Sequence, residues 1–229
     1  MMNDLNLYQC SEETTFENTL RQLVDTLFGR NIMAVMIKDC FIVAKPIDES
    51  KRIVVACSKG EIVLGESEYR LTQDSYLSNR GLAVGRQINE YKDVTSDIYS
   101  KKIVAFKEGL LKCERTWIDN YGKHLKVYLS SRMAEGVPII QHDAVRMTWA
   151  DLVERQQSLN QLIINIENIS SGKSHNELFV FVPQLIREAC ELLAKIAGGR
   201  AFLEGQAVEM LWLFNIVNKI YFSGGYCNE

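Results

Sequence analysis

Six cysteines and three histidines are the residues in this sequence best suited to bind a metal or act as nucleophiles, and their spacing argues against both. Cys10, Cys40, Cys57, Cys113, Cys190 and Cys227 include no close pair, so neither a CxxC metal knuckle nor a dense disulfide framework can be drawn. Reduced thiols packing as small hydrophobes are expected instead. His124, His142 and His175 are equally dispersed, which leaves no zinc set and no Cys-His pair. With 26 basic against 29 acidic residues the net charge is −3, so no overall basic surface is offered to nucleic acid.

The chain has 229 residues, 47% hydrophobic and 24% charged, which is ordinary for globular proteins and excludes wholesale disorder. No run approaches the roughly 18–20 apolar residues of a membrane span. The first residues lack a basic segment followed by an apolar one. A soluble, cytoplasmic protein is expected.

The elements that would position any site change period near Asp97. A short amphipathic helix, about Glu12 to Phe28, is followed by strand-length runs at Ile32–Ile37, Phe41–Ala44, Ile53–Cys57 and Glu61–Leu64. Tyr69–Leu71 and Leu82–Val84 are shorter candidates, and turn residues such as Ser58-Lys59-Gly60 and Asn79-Arg80-Gly81 separate the runs. An antiparallel sheet or partial barrel fits. From Asp97 the apolar residues recur at helical spacing, first to about Arg132, where Gly136-Val137-Pro138 closes one helix and opens the next. Ser174-His175-Asn176-Glu177 has the form of a capping box for a third helix that runs to Ala197 and must be kinked or begun by Pro183. A fourth, about Glu204 to Tyr221, is apolar nearly all round at Met210–Val217, so it is expected to be buried on more than one side. A single bundle would not cover it, and the surplus would mark an interface. The predicted architecture is α+β: an N-terminal helix over 1–30, a small β domain over 31–96 and an up-down four-helix bundle over 97–229.

The residues at the helix ends resemble a known family. Tyr128-Leu129-Ser130-Ser131-Arg132, Gly136, Pro138-Ile139 and Trp149-Ala150-Asp151-Leu152 resemble the start of the second bundle helix in acyl-CoA dehydrogenases. That family carries Tyr, an Arg four residues on, Phe-Gly, Ile, Gln and Ala-Asp-Met there. Lys195-Ile196-Ala197-Gly198-Gly199-Arg200-Ala201-Phe202 is similar to its Gln-x-x-Gly-Gly-x-Gly-Phe motif, and Val208-Glu209, Leu211 and Ile220-Tyr221 follow in register. The resemblance covers Asp97–Glu229 well and the strands loosely. Most of the family's N-terminal helical domain, and the Thr-Glu-Pro-x-x-Gly-Ser segment that holds flavin and thioester, have no counterpart.

The resemblance assigns cofactor-binding roles to Arg132, Gly198, Gly199 and Lys195, each beside a plainer structural role. Arg132 matches the family arginine that reaches the FAD pyrophosphate of a neighbouring subunit, a task suited to the guanidinium fork. It also sits where a helix C-terminus favours any cation. Gly198-Gly199 could be a helix cap, or could admit the pyrophosphate to the backbone for want of a Cβ. Lys195 replaces the family Gln. Glu135 stands for the family aromatic and Asp143 for its Gln, both adding negative charge near an anion.

The two positions where the family carries its catalytic carboxylate fall on Phe222 and Phe106, neither of which can take a proton. Glu108 lies two residues from Phe106, about 200° round a helix. The family's substrate-side Arg becomes Lys107. Glu204 and Glu209 read as surface and supporting carboxylates. The expected function is therefore a truncated acyl-CoA dehydrogenase-like subunit of a heteromeric, flavin-dependent acyl-thioester dehydrogenase in fatty acid metabolism. A partner would supply the base and most of the FAD site, with FAD at the interface and acyl-CoA or an acyl-carrier thioester as substrate. Two other readings remain: a flavin-free homologue, either an interaction scaffold or acting on thioesters by other chemistry, and a homo-oligomeric flavoenzyme that rebuilds a site from its own copies. No metal, nucleic acid or membrane span enters any of them.

Overall fold

A computed structural model describes residues 15–37, 40–45, 47, 52–57, 60–64, 68–72, 75–88, 101–168, 173–202 and 206–222. The chain divides into two compact units, Met1–Leu110 with Val217–Glu229, and Leu111–Ile216. The predicted α+β class holds.

The first unit is built on a six-stranded sheet. Helix α1 (Phe16–Phe28) starts where the Thr15 side chain accepts the Asn18 amide at 3.3 Å, and stops at Gly29, whose φ of +96° few side-chain-bearing residues would adopt. It buries Leu20, Leu23 and Val24. The strands are β1 (Ile32–Ile37), β2 (Cys40–Ala44), β3 (Arg52–Cys57), β4 (Gly60–Leu64), β5 (Tyr69–Thr72) and β6 (Leu82–Gln87), with the single turn α2 (Ser75–Ser78) before β6. They lie in the order β4-β3-β1-β2-β6-β5. Four of the five pairings are antiparallel, as expected, but β1 and β3 run parallel. β3 therefore adds beside β1, on the edge away from β2, instead of folding back on β2.

Ala34, Met36, Phe41, Val43, Ile53 and Ala83 form the core of the sheet. Phe41 stands opposite Gly85 in the β2–β6 register, and a Cβ at Gly85 would fall 2.0 Å from the Phe41 ring. Tyr69 meets the same ring edge-on at 5.6 Å. The described part of the first bundle helix, α3, spans Lys101–Ser131. Its Gly109 lies where a Cβ would come within 2.5 Å of Leu23 on α1.

The second unit holds most of the helices. Gly136-Val137-Pro138 does not open a helix directly. Strands β7 (Met133–Ala134) and β8 (Val137–Pro138) form a small hairpin, a 3-10 turn covers Ile139–Gln141, and α4 starts at Asp143 and runs to Asn168. Glu135 (φ +52°) and Gly136 (φ +83°) are both left-handed, the signature of a two-residue hairpin turn. Helix α5 (Lys173–Ala197) begins one residue ahead of the expected capping box and continues through Pro183. Its buried residues Phe179, Val182, Ile186, Cys190, Leu193 and Ile196 keep helical spacing across that proline. A 3-10 turn at Gly198–Phe202 leads towards α6 (Ala207–Tyr221). Ile169, Ser171, Gly172 and Glu204 lie outside the described residues.

On α6 the expectation of burial on more than one side is met, since Lys219 is the one exposed residue of the helix. The expected exposed stripe is absent from it: Leu213, Phe214, Ile216, Val217 and Ile220 are buried within the chain. The exposed large apolar side chains lie elsewhere, among them Val127, Met133, Val137 and Phe202.

Candidate functional site

Arg132 follows directly on α3, and its backbone is fixed by the hairpin, because its carbonyl accepts the Ile139 amide at 2.8 Å. The His142 ring nitrogen Nε2 holds the other side of that turn, 3.1 Å from the Ala134 carbonyl. One turn back on α3, Tyr128 faces the Arg132 guanidinium, 5.4 Å from the ring centroid. Arg200, in the turn after α5, reaches the same ring at 4.4 Å. Two segments far apart in the sequence, the end of α3 and the Gly198-Gly199-Arg200 turn, therefore converge on Tyr128. Both guanidinium groups lie within cation–π range of it.

Gly198 has φ +58°, the left-handed value of a helix C-cap, and both Gly198 and Gly199 are exposed. A Cβ at Gly199 would meet nothing within 4 Å. Among the described residues no close approach requires that glycine. Lys195 is exposed in the last turn of α5. Glu135 is held in the hairpin turn, and Asp143 lies 3.9 Å from Arg146. Arg200 belonged to a motif in the sequence analysis without a role of its own. Its signal in the sequence is a cation directly after the glycine pair.

Behind Tyr128 on the same helix, Trp117 stacks on Tyr121 at 4.8 Å and meets Phe214 edge-on at 5.8 Å. Burial raises the Tyr121 phenol above its ordinary value, and the Ala207 amide and the Arg200 charge oppose that rise.

The two carboxylate positions lie in the first unit and are aromatic in structure as well as in sequence. Phe106 is fully buried, 6.2 Å from Phe28 and 5.1 Å from Tyr221, edge-on to both. Beside it Lys107 is 4% exposed, with Nζ 5.5 Å from the centroid of the Phe222 ring. A lysine this buried keeps its stem in apolar surroundings while its ammonium faces a ring. Tyr221 anchors this corner: its hydroxyl accepts the Ile42 amide of β2 at 2.9 Å. Burial pushes the Tyr221 phenol far above its ordinary value, against the opposing Ile42 hydrogen bond. Neither arginine nor glycine of the Tyr128 cluster belongs to this unit.

Among the described residues no three of His, Cys, Asp and Glu gather to hold a metal ion. No described helix is long and apolar enough to cross a membrane.

No family model and no curated protein matches the sequence. Solved structures do match. An acyl-CoA dehydrogenase from Geobacillus kaustophilus aligns over 83% of this chain and 60% of its own, with TM-score 0.53 and 14% identity. Butyryl-CoA dehydrogenase from Megasphaera elsdenii aligns over 84% and 60%, with TM-score 0.55 and 10% identity. The electron transferring flavoprotein of Acidaminococcus fermentans aligns over 93% and 65%, with TM-score 0.53 and 14% identity. The chain has the fold of acyl-CoA dehydrogenases and spans about 60% of the length of the dehydrogenases it matches.

Proposed function

We propose that the chain is one subunit of a heteromeric, flavin-dependent acyl-thioester dehydrogenase, lending a phosphate-binding surface to FAD at a subunit interface. The observation that carries this reading is the convergence of Arg132 and the Gly198-Gly199-Arg200 turn on Tyr128, within a fold shared with acyl-CoA dehydrogenases. The residues present fit the diphosphate of the cofactor: guanidinium forks match phosphate oxygens, and the open backbone at Gly199 admits them. Exposed Val127, Met133, Val137 and Phe202 flank these residues in the sequence and supply apolar area for a partner.

When bound, FAD would accept a hydride from the acyl β-carbon while a carboxylate removes the α-proton. This chain supplies no such carboxylate, since Phe106 and Phe222 stand at both positions. The base and the ring-holding half of the site fall to the partner. Arg132, Gly198, Gly199 and Lys195 then act by binding and orienting, and Lys107, buried beside Phe222, holds the position of the family's substrate-side Arg.

Flavin retention in the co-purified complex tests this. Arg132→Ala should weaken it by about 1.5–3 kcal/mol, the range for charge-assisted hydrogen bonds, and Arg132→Lys should recover part. Gly199→Ala should leave the melting temperature unchanged, because its Cβ meets open space, yet lower flavin content. Equal flavin in wild type and Arg132→Ala at matched protein would falsify the interface role. A colourless complex would favour the flavin-free scaffold.

A further inference from the structure

The outward face of α5 is polar from Gln184 onward, and its polar groups are matched along the helix itself. Gln184 donates to Glu188 at 3.3 Å and Arg187 to Glu191 at 2.8 Å, each pair one turn apart. Val180 and Phe181 break that pattern. They are neighbours on the same face, 65% and 60% exposed, and the exposed Glu177 and Gln184 bracket them. A lone apolar side chain at a surface needs no partner, but two large adjacent ones form a patch.

The flanking charges select what covers that patch. Glu177 lies one turn before Phe181, and Arg187 lies less than two turns after it. Turned end over end, the same face presents the acid and the cation in the opposite order. Two copies of α5 crossing antiparallel at Val180 and Phe181 therefore bring each Glu177 towards the other copy's Arg187. Glu188 and Glu191 then fall opposite Lys173 to Asn176, so no two acids meet. An anionic lipid surface fits poorly, because this face carries Glu177, Glu188 and Glu191 against the single Arg187.

We propose that this face of α5 docks a second copy of the chain, antiparallel, about a two-fold axis through the Val180–Phe181 pair. Such a contact is isologous, each copy giving and receiving the same groups. Two large side chains per copy fall short of the roughly 1,200–2,000 Å² of a stable interface. The pairing is therefore weak by itself, forming at submillimolar and not at low micromolar concentration. It uses no residue assigned to flavin or to the partner, and holds with or without either.

The test is sedimentation velocity at submillimolar concentration on the full chain carrying Met133→Asp and Phe202→Asp, which removes the other apolar surface. A dimer should remain. Adding Val180→Asp and Phe181→Asp should abolish it with an unchanged circular dichroism spectrum. Glu177→Arg alone and Arg187→Glu alone should each lose most of it, and the two together should regain it. Copper-phenanthroline oxidation fixes the geometry. Phe181→Cys, at the axis, should give a disulfide dimer above the wild-type background. Glu191→Cys, ten residues along and about 15 Å from the axis, should not. A monomer throughout, a dimer indifferent to Val180 and Phe181, no recovery by the charge exchange, or equal crosslinking at both cysteines overturns the proposal.

Discussion

At the scale of single residues, two aromatic rings stand where the proposed function would look for a base. Phe106 has no exposed surface and is wedged between Phe28 and Tyr221, so a carboxylate there would be buried among rings at heavy cost. The half-buried Phe222 is the gentler place to install one. Phe222→Glu should nevertheless give no acyl-CoA oxidation with an artificial electron acceptor, because the proposed function assigns the ring-holding half of the site to a partner. Turnover by that variant alone would point to a self-contained enzyme. Tyr221 lends itself to a stability measurement. Tyr221→Phe strands the Ile42 amide in the interior and should cost about 1–3 kcal/mol. Both Tyr221 and the fully buried Cys190 have folded values raised above their unfolded ones, Cys190 by burial and by the nearby Glu114 and Glu191 charges. Such groups stay neutral in the folded state while the unfolded chain ionises. Stability should therefore hold at neutral pH and fall above about pH 8.5, the unfolded cysteine value, and again past about 10 for tyrosine. Tyr221→Phe should remove the upper part of that loss in pH-dependent denaturant melts.

The elements show which parts of the molecule could be read in advance. The strands and helices were legible because their apolar residues keep period 2 or 3.6 over whole segments. The parallel pairing of β1 with β3 was not, since alternation along one strand does not say which neighbour it takes or in which direction. The hairpin at Met133–Pro138 was hidden for a sharper reason. A two-residue turn with both φ values positive announces itself as Asn-Gly or Asp-Gly, and here it is Glu135-Gly136. A glutamate held left-handed costs roughly 1–2 kcal/mol. Glu135→Asn should recover about 1 kcal/mol in thermal melts, and it should also strengthen anion binding near Arg132 by removing a negative charge. Within the candidate site Arg132, Gly198 and Gly199 were legible from motif order. Arg200 was not, because its role depends on a tertiary meeting with Tyr128, far away along the chain. Pro183 illustrates the same limit: local rules predicted a break or a start, and tertiary packing carries α5 through it.

For the whole molecule, the location of its exposed apolar surface guides what it should bind. Helix α6 is covered by its own chain, and the proposed function assigns association to Val127, Met133, Val137 and Phe202, which are 70%, 62%, 41% and 78% exposed. Light scattering at micromolar concentration should find the chain self-associated or bound to its partner. Replacing Met133 and Phe202 together by Asp should release monomer with an unchanged circular dichroism spectrum. A wild-type chain that runs as a clean monomer, alone and with candidate partners, would remove the interface on which the functional reading depends.

The bond from the Tyr221 hydroxyl to the Ile42 amide joins residues 179 positions apart, and Val217–Glu229 belongs to the same compact unit as the sheet. Ribosomal synthesis at roughly 5–20 residues per second puts on the order of ten seconds or more between the emergence of those two partners. For that interval the nascent sheet lacks its last buried tyrosine, and an amide of β2 waits for an acceptor. Domains that fold as they leave the ribosome usually secure their N-terminal half first. Here the sheet is completed by a segment made long after its own strands, so its vulnerability to proteases and to chaperone capture should be set by the clock of translation.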